Sequence, residues 1–122
     1  MRFAKRVFTG AGIWGLLMVP PIYFLYDRIG REYPPPVTHP EFFYGFIAVT
    51  LAWQFAFLVI GSDPGRFRAL MLPSMAEKFV YVATLLVLYA QRRMTLSQAV
   101  VGVPDLALGV LFVIAFIRTA PR

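Results

Sequence analysis

Four apolar stretches, each about as long as a membrane is thick, occupy most of this 122-residue chain. A helix needs roughly 20 mostly apolar residues to cross a hydrocarbon core about 30 Å thick. The pattern predicts four spans, at residues 7–26, 41–60, 75–91 and 96–118. Since little chain remains for a soluble domain, we expect one integral membrane domain over residues 1–122. Its expected fold is all-α, a transmembrane four-helix bundle.

The composition narrows the classes of function. Hydrophobic residues make up 59% of the chain and charged residues 15%. The net charge of +6 comes from basic residues scattered at the ends of the apolar stretches, which does not form the basic stripe of a nucleic-acid-binding protein. The absence of cysteine excludes thiol redox chemistry, Cys-ligated zinc and iron-sulfur clusters. We therefore expect no nucleic-acid partner, no cofactor and no metal site.

Three capping-box patterns support the boundaries of the spans. A Ser or Thr followed three residues later by Glu or Gln occurs at residues 38–41, 74–77 and 95–98, which predicts the starts of spans 2, 3 and 4. Between spans 2 and 3, residues 66–72 combine early charge with later apolar bulk, as a short interfacial helix does, and Pro73 is expected to end it. In this interpretation Glu77 closes a capping box.

The basic residues at the span ends predict the orientation. Cytoplasmic loops of membrane proteins carry an excess of Lys and Arg. Eight basic residues fall on one predicted side and four on the other, so both termini are expected in the cytoplasm. The eight are Arg2, Lys5, Arg6, Arg66, Arg68, Lys78, Arg118 and Arg122, and the four are Arg28, Arg31, Arg92 and Arg93.

Asp105 is the strongest candidate for a functional residue. It lies about 10 residues inside predicted span 4, or about 15 Å deep at 1.5 Å per residue, and follows Pro104, which should open the helix locally. An intramembrane carboxylate suggests transport, proton handling or ligand binding. Alternatively, it caps the lower half of a broken helix. No basic residue is predicted at its depth, so no salt bridge is expected; the candidate hydrogen-bond partners are Gln54, Tyr44, Tyr81 and Thr84.

Two further groups of residues suggest weaker sites. His39, the single histidine, could form an outer-face metal or proton-handling cluster with Glu41 and nearby acids, or simply meet water at the start of a helix. Residues two apart on a helix do not face each other, which argues against His39 and Glu41 acting together. On the cytoplasmic side, Arg66, Arg68 and Lys78 could bind an anionic lipid headgroup.

Three stretches carry a resemblance. They read YPPPVTHPEFFYGF at residues 33–46, DPGRFR at 63–68 and DLALGVLF at 105–112. Together they resemble a family of small bacterial four-span membrane proteins to which no reaction is assigned. In span count and size alone, the chain is also loosely similar to DoxX-like membrane proteins. The resemblance implies a bacterial inner-membrane location and gives no mechanism.

Three functions compete on this basis. The favoured one is a non-catalytic accessory or structural subunit, or a lipid-contacting protein, whose partners are lipids and other membrane subunits or further copies of the chain. It explains why no set of catalytic residues is evident. The alternative is a small oligomeric transporter or channel that uses Asp105. A membrane enzyme acting on a lipid through His39 and Glu41 is the third.

Overall fold

The computed structural model describes residues 2–120, and within this range the chain is helical with short turns and no strand. Its α-helices are α1 (Arg2–Met18), α2 (Tyr26–Glu32), α3 (Pro40–Ser62), α4 (Met71–Ala90), α5 (Leu96–Ala99) and α6 (Val103–Arg118). Short 3-10 segments extend or join them, at Pro20–Phe24 after α1, Arg68–Leu70 before α4 and Val100–Gly102 between α5 and α6. Arg122, used above in the charge count, lies outside the described residues.

Within residues 2–120, four helical stretches are long and apolar enough to cross a membrane, and each has 23 residues. They are span 1 (Arg2–Phe24), span 2 (Pro40–Ser62), span 3 (Arg68–Ala90) and span 4 (Leu96–Arg118). A helix of this length measures about 35 Å, which exceeds the hydrocarbon thickness of about 30 Å. Large apolar side chains on every span are exposed, among them Leu17, Phe55, Val80 and Ile117. The predicted all-α class with four apolar spans is confirmed.

Span 3 begins earlier than the sequence predicted, and the position of Pro73 explains the difference. Residues 66–72 form no separate helix, because the turn there enters a 3-10 segment that continues directly into α4. Pro73 lies in the first turn of α4, where its missing backbone N–H breaks no helical hydrogen bond. The proline therefore belongs to the start of the span and does not end a preceding helix.

Of the three predicted capping boxes, the one at residues 95–98 is confirmed. The Thr95 hydroxyl accepts a hydrogen bond from the Gln98 backbone N–H at 3.3 Å, and the Gln98 side chain accepts one from the Thr95 backbone N–H at 2.8 Å. Here the hydroxyl and the amide satisfy two donors that a helix start would leave unpaired.

The other two predicted boxes are wrong. Ser74 lies inside α4, where its hydroxyl donates to the Leu70 carbonyl oxygen at 2.8 Å, so Glu77 has no helix start to cap. At the start of α3 the N-cap position is taken by His39 and not by Thr38, and no side-chain cap hydrogen bond is made. Pro40 occupies the first turn there and has no N–H to be capped.

Three buried aromatic rings organise the packing of the spans. Phe8 of α1, Phe57 of α3 and Phe112 of α6 are fully buried, and the Phe112 ring centroid lies 4.2 Å from that of Phe8 and 5.0 Å from that of Phe57. Helix α1 packs along α3 and α6, and α4 packs along α6. In contrast, α3 and α4 touch only sparingly, so a cleft is left between them.

Glycines allow the backbones of α1 and α3 to approach closely. A Cβ atom added at Gly61 would lie 2.3 Å from the Thr9 hydroxyl oxygen and 2.9 Å from the Thr9 backbone nitrogen. The backbone nitrogen cannot move aside as a flexible side chain could. Close helix approach at small residues is a common source of association between membrane helices.

We expect Gly61→Ala to lower the free energy of unfolding by about 1–3 kcal/mol, because the added methyl group overpacks the contact with Thr9. The matched control is Gly10→Ala, since a Cβ atom at Gly10 meets nothing within 4 Å. Reversible unfolding in mixed detergent micelles, followed by circular dichroism, measures both. Equal stability of the two variants would show that the α1–α3 contact tolerates the extra carbon.

An ion cluster at the base of a cleft as the candidate functional site

The described structure contains a buried ion pair between two spans. The Lys78 ammonium of α4 lies 2.8 Å from a carboxylate oxygen of Asp105 in α6. Only 4% of the Lys78 side chain is exposed, against 29% for Asp105. Both residues lie near the middle of their spans, at the depth where an ionised side chain is most costly. Because burying these charges is costly, the presence of the pair at this depth calls for a functional explanation.

This ion pair corrects the prediction that no basic residue lies at the depth of Asp105. The prediction was wrong because it began span 3 at residue 75, which placed Lys78 at the membrane surface. With span 3 beginning at Arg68, Lys78 is carried to the middle of the helix. There its ammonium binds Asp105. Because the Lys78 side chain is buried, it is not placed to bind a lipid headgroup, as the sequence had suggested.

Asp105 lies beside a break in span 4. Pro104 and Asp105 lie in the first turn of α6, and a 3-10 segment interrupts span 4 before it, as the predicted proline break implied. The positive end of the helix dipole stabilises a negative charge there. However, no side-chain cap hydrogen bond is made at the start of α6, and the Asp105 carboxylate accepts its hydrogen bond from Lys78 on the neighbouring helix, so the capping alternative is not supported.

Small residues bring the two helices close enough for this pair. A Cβ atom at Gly109, one turn after Asp105, would lie 3.2 Å from Cβ of Lys78 and 3.0 Å from the Phe79 ring. Gly109 is buried in this contact. The absence of a side chain at Gly109 therefore lets the backbone of α4 approach the carboxylate.

Glu77 adds a second carboxylate to the cluster. Its Oε2 atom lies 3.4 Å from the Lys78 ammonium nitrogen. This oxygen is buried and accepts no hydrogen bond within the described residues. The ammonium also lies 5.2 Å from the centroid of the Phe57 ring, whose face attracts a cation. One ammonium therefore faces two carboxylates, and we call Glu77, Lys78 and Asp105 the ion cluster.

The ion cluster borders the cleft between α3 and α4. The cleft has a volume of about 480 Å³ and extends from Glu41, at the start of α3, to Trp53. Glu77 and Asp105 line it, whereas Lys78 does not. The remaining lining residues are mostly apolar or aromatic: Phe42, Gly45, Phe46, Val49, Thr50 and Tyr81. Such a volume is typical of sites for small organic ligands.

A second cavity of about 470 Å³ adjoins the first and is lined by residues of all four spans. It shares Phe46, Thr50, Tyr81 and Asp105 with the cleft. The rings of Phe46 and Tyr81 stack at a centroid distance of 5.8 Å where the two cavities meet. Asp105 is thus reachable from both cavities, and Lys78 lines the second one.

Within the described residues none of the predicted partners, Gln54, Tyr44, Tyr81 and Thr84, forms a hydrogen bond with Asp105, so this prediction is wrong. Tyr81 lines both cavities beside Asp105. Gln54 is buried and lines the second cavity, but its side-chain amide donates to the Thr50 carbonyl oxygen at 2.8 Å. Tyr44 stacks with Tyr23 and Tyr26 in an aromatic cluster and lines neither cavity.

His39 and Glu41 meet at the end of the cleft, contrary to the sequence-based objection. The His39 Nδ1 atom lies 3.1 Å from a Glu41 carboxylate oxygen. The objection failed because His39 precedes α3 with φ −118° and ψ 79°, so helical spacing does not apply. Both side chains are exposed. In the described part of the chain, no group of three or more His, Asp or Glu is placed to hold a metal ion.

Glu32, the last residue of α2, pairs with Arg28 at 2.9 Å and is not part of a cluster with His39 in the described structure. The hydrogen bond to the Glu32 carboxylate raises the pKa of Arg28. Both side chains are exposed, so a pair of this kind contributes little to stability.

The remaining headgroup candidates, Arg66 and Arg68, also differ from each other. The Arg68 guanidinium donates to the Thr119 and Phe116 carbonyl oxygens at 2.7 and 3.2 Å and lies 3.7 Å from the centroid of the Phe116 ring. It therefore binds the carboxyl end of α6. Arg66 is exposed, with its guanidinium 5.1 Å from the Phe67 ring centroid, and its headgroup role stays a prediction.

Sequence reasoning found Asp105 and missed Glu77 and Lys78 as its partners. One signal in the sequence could have found them. With Pro73 placed in the first turn, a single helix runs from Met71 to Ala90, and residues 77–78 then have apolar sequence on both sides.

Comparisons with protein-family models, with curated proteins and with solved structures give no match to this chain. The resemblance to small bacterial four-span proteins stays a prediction. What the chain does is therefore inferred from its own residues.

Proposed function

We propose that this chain is a small membrane transporter that works as an oligomer and uses the ion cluster as its binding or coupling site. The observation that carries the proposal is the Lys78–Asp105 pair, which is buried at mid-span and borders a cleft. Ionisable residues inside membrane spans usually mark ion or substrate pathways. Transporters commonly bind substrate near the midplane, beside interrupted helices, and span 4 is interrupted just before Asp105.

Stability alone is a weak explanation for the cluster. Buried ion pairs seldom stabilise a protein more than apolar residues of similar size, because the cost of removing two charges from water offsets their attraction. This cluster also holds more carboxylates than ammonium groups, an arrangement that a purely structural pair does not need. A site that receives a charged ligand explains the imbalance.

The orientation that we propose has both termini in the cytoplasm of a bacterial inner membrane. Moving Lys78 from the surface into span 3 changes the count of basic residues from eight against four to seven against four. The excess keeps its direction, which supports this orientation. The end of the cleft that carries Glu41 then faces the periplasm.

We expect Asp105→Asn to reduce substrate-driven currents by about tenfold or more, which corresponds to a loss of about 1.4 kcal/mol or more of interaction. The measurement uses proteoliposomes on a solid-supported membrane, challenged in turn with a pH step, inorganic cations, amino acids, organic cations and organic anions. The matched control is Asp27→Asn, which removes an exposed carboxylate outside the spans.

Size-exclusion elution identical to that of the native chain shows that each variant is folded. Two results would refute the transporter proposal: no class of solute gives a current above that of empty vesicles, or the current survives Asp105→Asn.

A second candidate is the accessory or lipid-contacting subunit, and the open cleft is the observation that favours it. Because α3 and α4 touch so little, the apolar part of the cleft could receive an acyl chain or a helix of a partner. Isolation in mild detergent with mass spectrometry of the retained molecules tests this candidate. A preparation that always runs as a self-contained oligomer would exclude the subunit role.

A further inference from the structure

The charge of the residues that line the cleft indicates the charge of its ligand. Glu41, Glu77 and Asp105 contribute carboxylates, and the described lining contains no Lys, Arg or His. The Lys78 ammonium does not line this cleft; it lines the adjoining cavity and is bound to Asp105. The ion cluster holds two carboxyl groups and one ammonium, so a cation complements it better than an anion does. An anion would meet carboxylates first.

Both carboxylates of the ion cluster are partly exposed and line the cleft. Lys78 forms its hydrogen bond with one oxygen of Asp105, and the Asp105 side chain stays 29% exposed. The buried Oε2 of Glu77 accepts no hydrogen bond in the described structure. Its nearest cation is the Lys78 ammonium at 3.4 Å, which Glu77 shares with Asp105, so an added positive charge beside Glu77 would compensate this carboxylate more fully.

The aromatic residues indicate that the cation is organic. Phe42, Phe46, Trp53 and Tyr81 line the same cleft as the carboxylates. Ring faces attract ammonium-type cations within about 6 Å, and Trp and Tyr do so more strongly than Phe. A hydrated inorganic cation would gain little from these rings or from the apolar wall at Val49. A cation with an apolar body uses both features of the lining.

We infer that the ligand of the cleft is a hydrophobic organic cation, with its charge beside Glu77 and Asp105 and its apolar body between α3 and α4. The juxtaposition of two carboxylates with a ring-lined cleft of about 480 Å³ carries the inference. It rests on the proposed function, since it takes the cleft to be the working site. It also excludes a neutral lipid or an anion as the principal ligand.

Binding of a probe cation tests the inference directly. Tetraphenylphosphonium is the cation, and tetraphenylborate is an anion of nearly the same shape and apolar character. Each is measured separately by equilibrium dialysis against the protein in zwitterionic nanodiscs, with empty nanodiscs subtracted. We expect saturable binding of tetraphenylphosphonium and no binding of tetraphenylborate above the empty discs.

Variants locate the bound cation. Glu77→Gln and Asp105→Asn should each weaken tetraphenylphosphonium binding by about tenfold or more, equivalent to about 1.4 kcal/mol. Glu32→Gln, which removes an exposed carboxylate at the end of α2, should leave it unchanged. Glu77→Gln is the safer of the two cleft variants, since it keeps the shorter Lys78–Asp105 pair.

The outcomes separate this inference from the proposed transport. Equal binding of the two probes, tighter binding of tetraphenylborate, or cation binding unaffected by both cleft variants would overturn the inference. If another class of solute gives Asp105-dependent currents while tetraphenylphosphonium does not bind, the inference fails and the transporter stands. If the cation binds at the cluster but no solute gives a current, the ligand class stands and transport fails.

Discussion

Replacing Lys78 with methionine is expected to lower the free energy of unfolding by about 3–5 kcal/mol, because it removes one partner of a buried ion pair. Methionine keeps a flexible chain of similar length against Phe57 but supplies no charge. Asp105 then loses its hydrogen bond at 2.8 Å and Glu77 its nearest cation at 3.4 Å. Two carboxylates would stay close together at mid-span with nothing to balance them.

The double variant Lys78→Met with Asp105→Asn separates loss of charge balance from loss of packing. It should recover part of the lost stability, since one uncompensated carboxylate is removed as well. Lys5→Met is the surface control, because Lys5 is exposed near the start of span 1. Unfolding in mixed micelles, read by circular dichroism, compares all three. If Lys78→Met is no less stable than Lys5→Met, the pair is not an electrostatic contact.

The fold was largely predictable because a membrane span depends on the average hydropathy of about 20 residues and not on any single residue. Apolar stretches of about 20 residues define spans, whichever residue begins them, and all four predicted spans are present. The interrupted start of span 4 was predictable for a local reason, since Pro104 removes a backbone donor. The box at Thr95 was predictable as well, since it follows a turn and directly precedes α5.

The first residue of span 3 was not predictable from average hydropathy. The composition of the predicted site depended on where this span begins. Residues 74–77 and 95–98 match one pattern, but Pro73 precedes the first and a turn precedes the second. A proline is compatible both with ending one helix and with the first turn of the next. This single ambiguity moved Lys78 from the membrane surface to the side of Asp105, so the acid was found and its cation was not.

A substitution that fills the cleft but keeps its charged residues distinguishes the contribution of the cavity from that of the ion cluster. A Cβ atom at Gly45 would meet nothing within 4 Å, although Gly45 lines the cleft on α3. Gly45→Leu therefore places an apolar side chain in the open space where the ligand is proposed to lie. Leucine also favours a helix over glycine, so the stability of α3 should not fall.

We expect Gly45→Leu to reduce both tetraphenylphosphonium binding and substrate-driven currents by about tenfold or more, a loss of about 1.4 kcal/mol or more, while the free energy of unfolding stays unchanged or rises. The matched control is Gly10→Leu, which adds the same side chain at an exposed position of α1 that also has open space. Equilibrium dialysis and proteoliposome currents measure the two effects.

Because this variant keeps Glu77, Lys78 and Asp105, a loss of activity without a loss of stability assigns the function to the cleft itself. Currents equal to those of the native chain would instead place the route outside the cleft between α3 and α4.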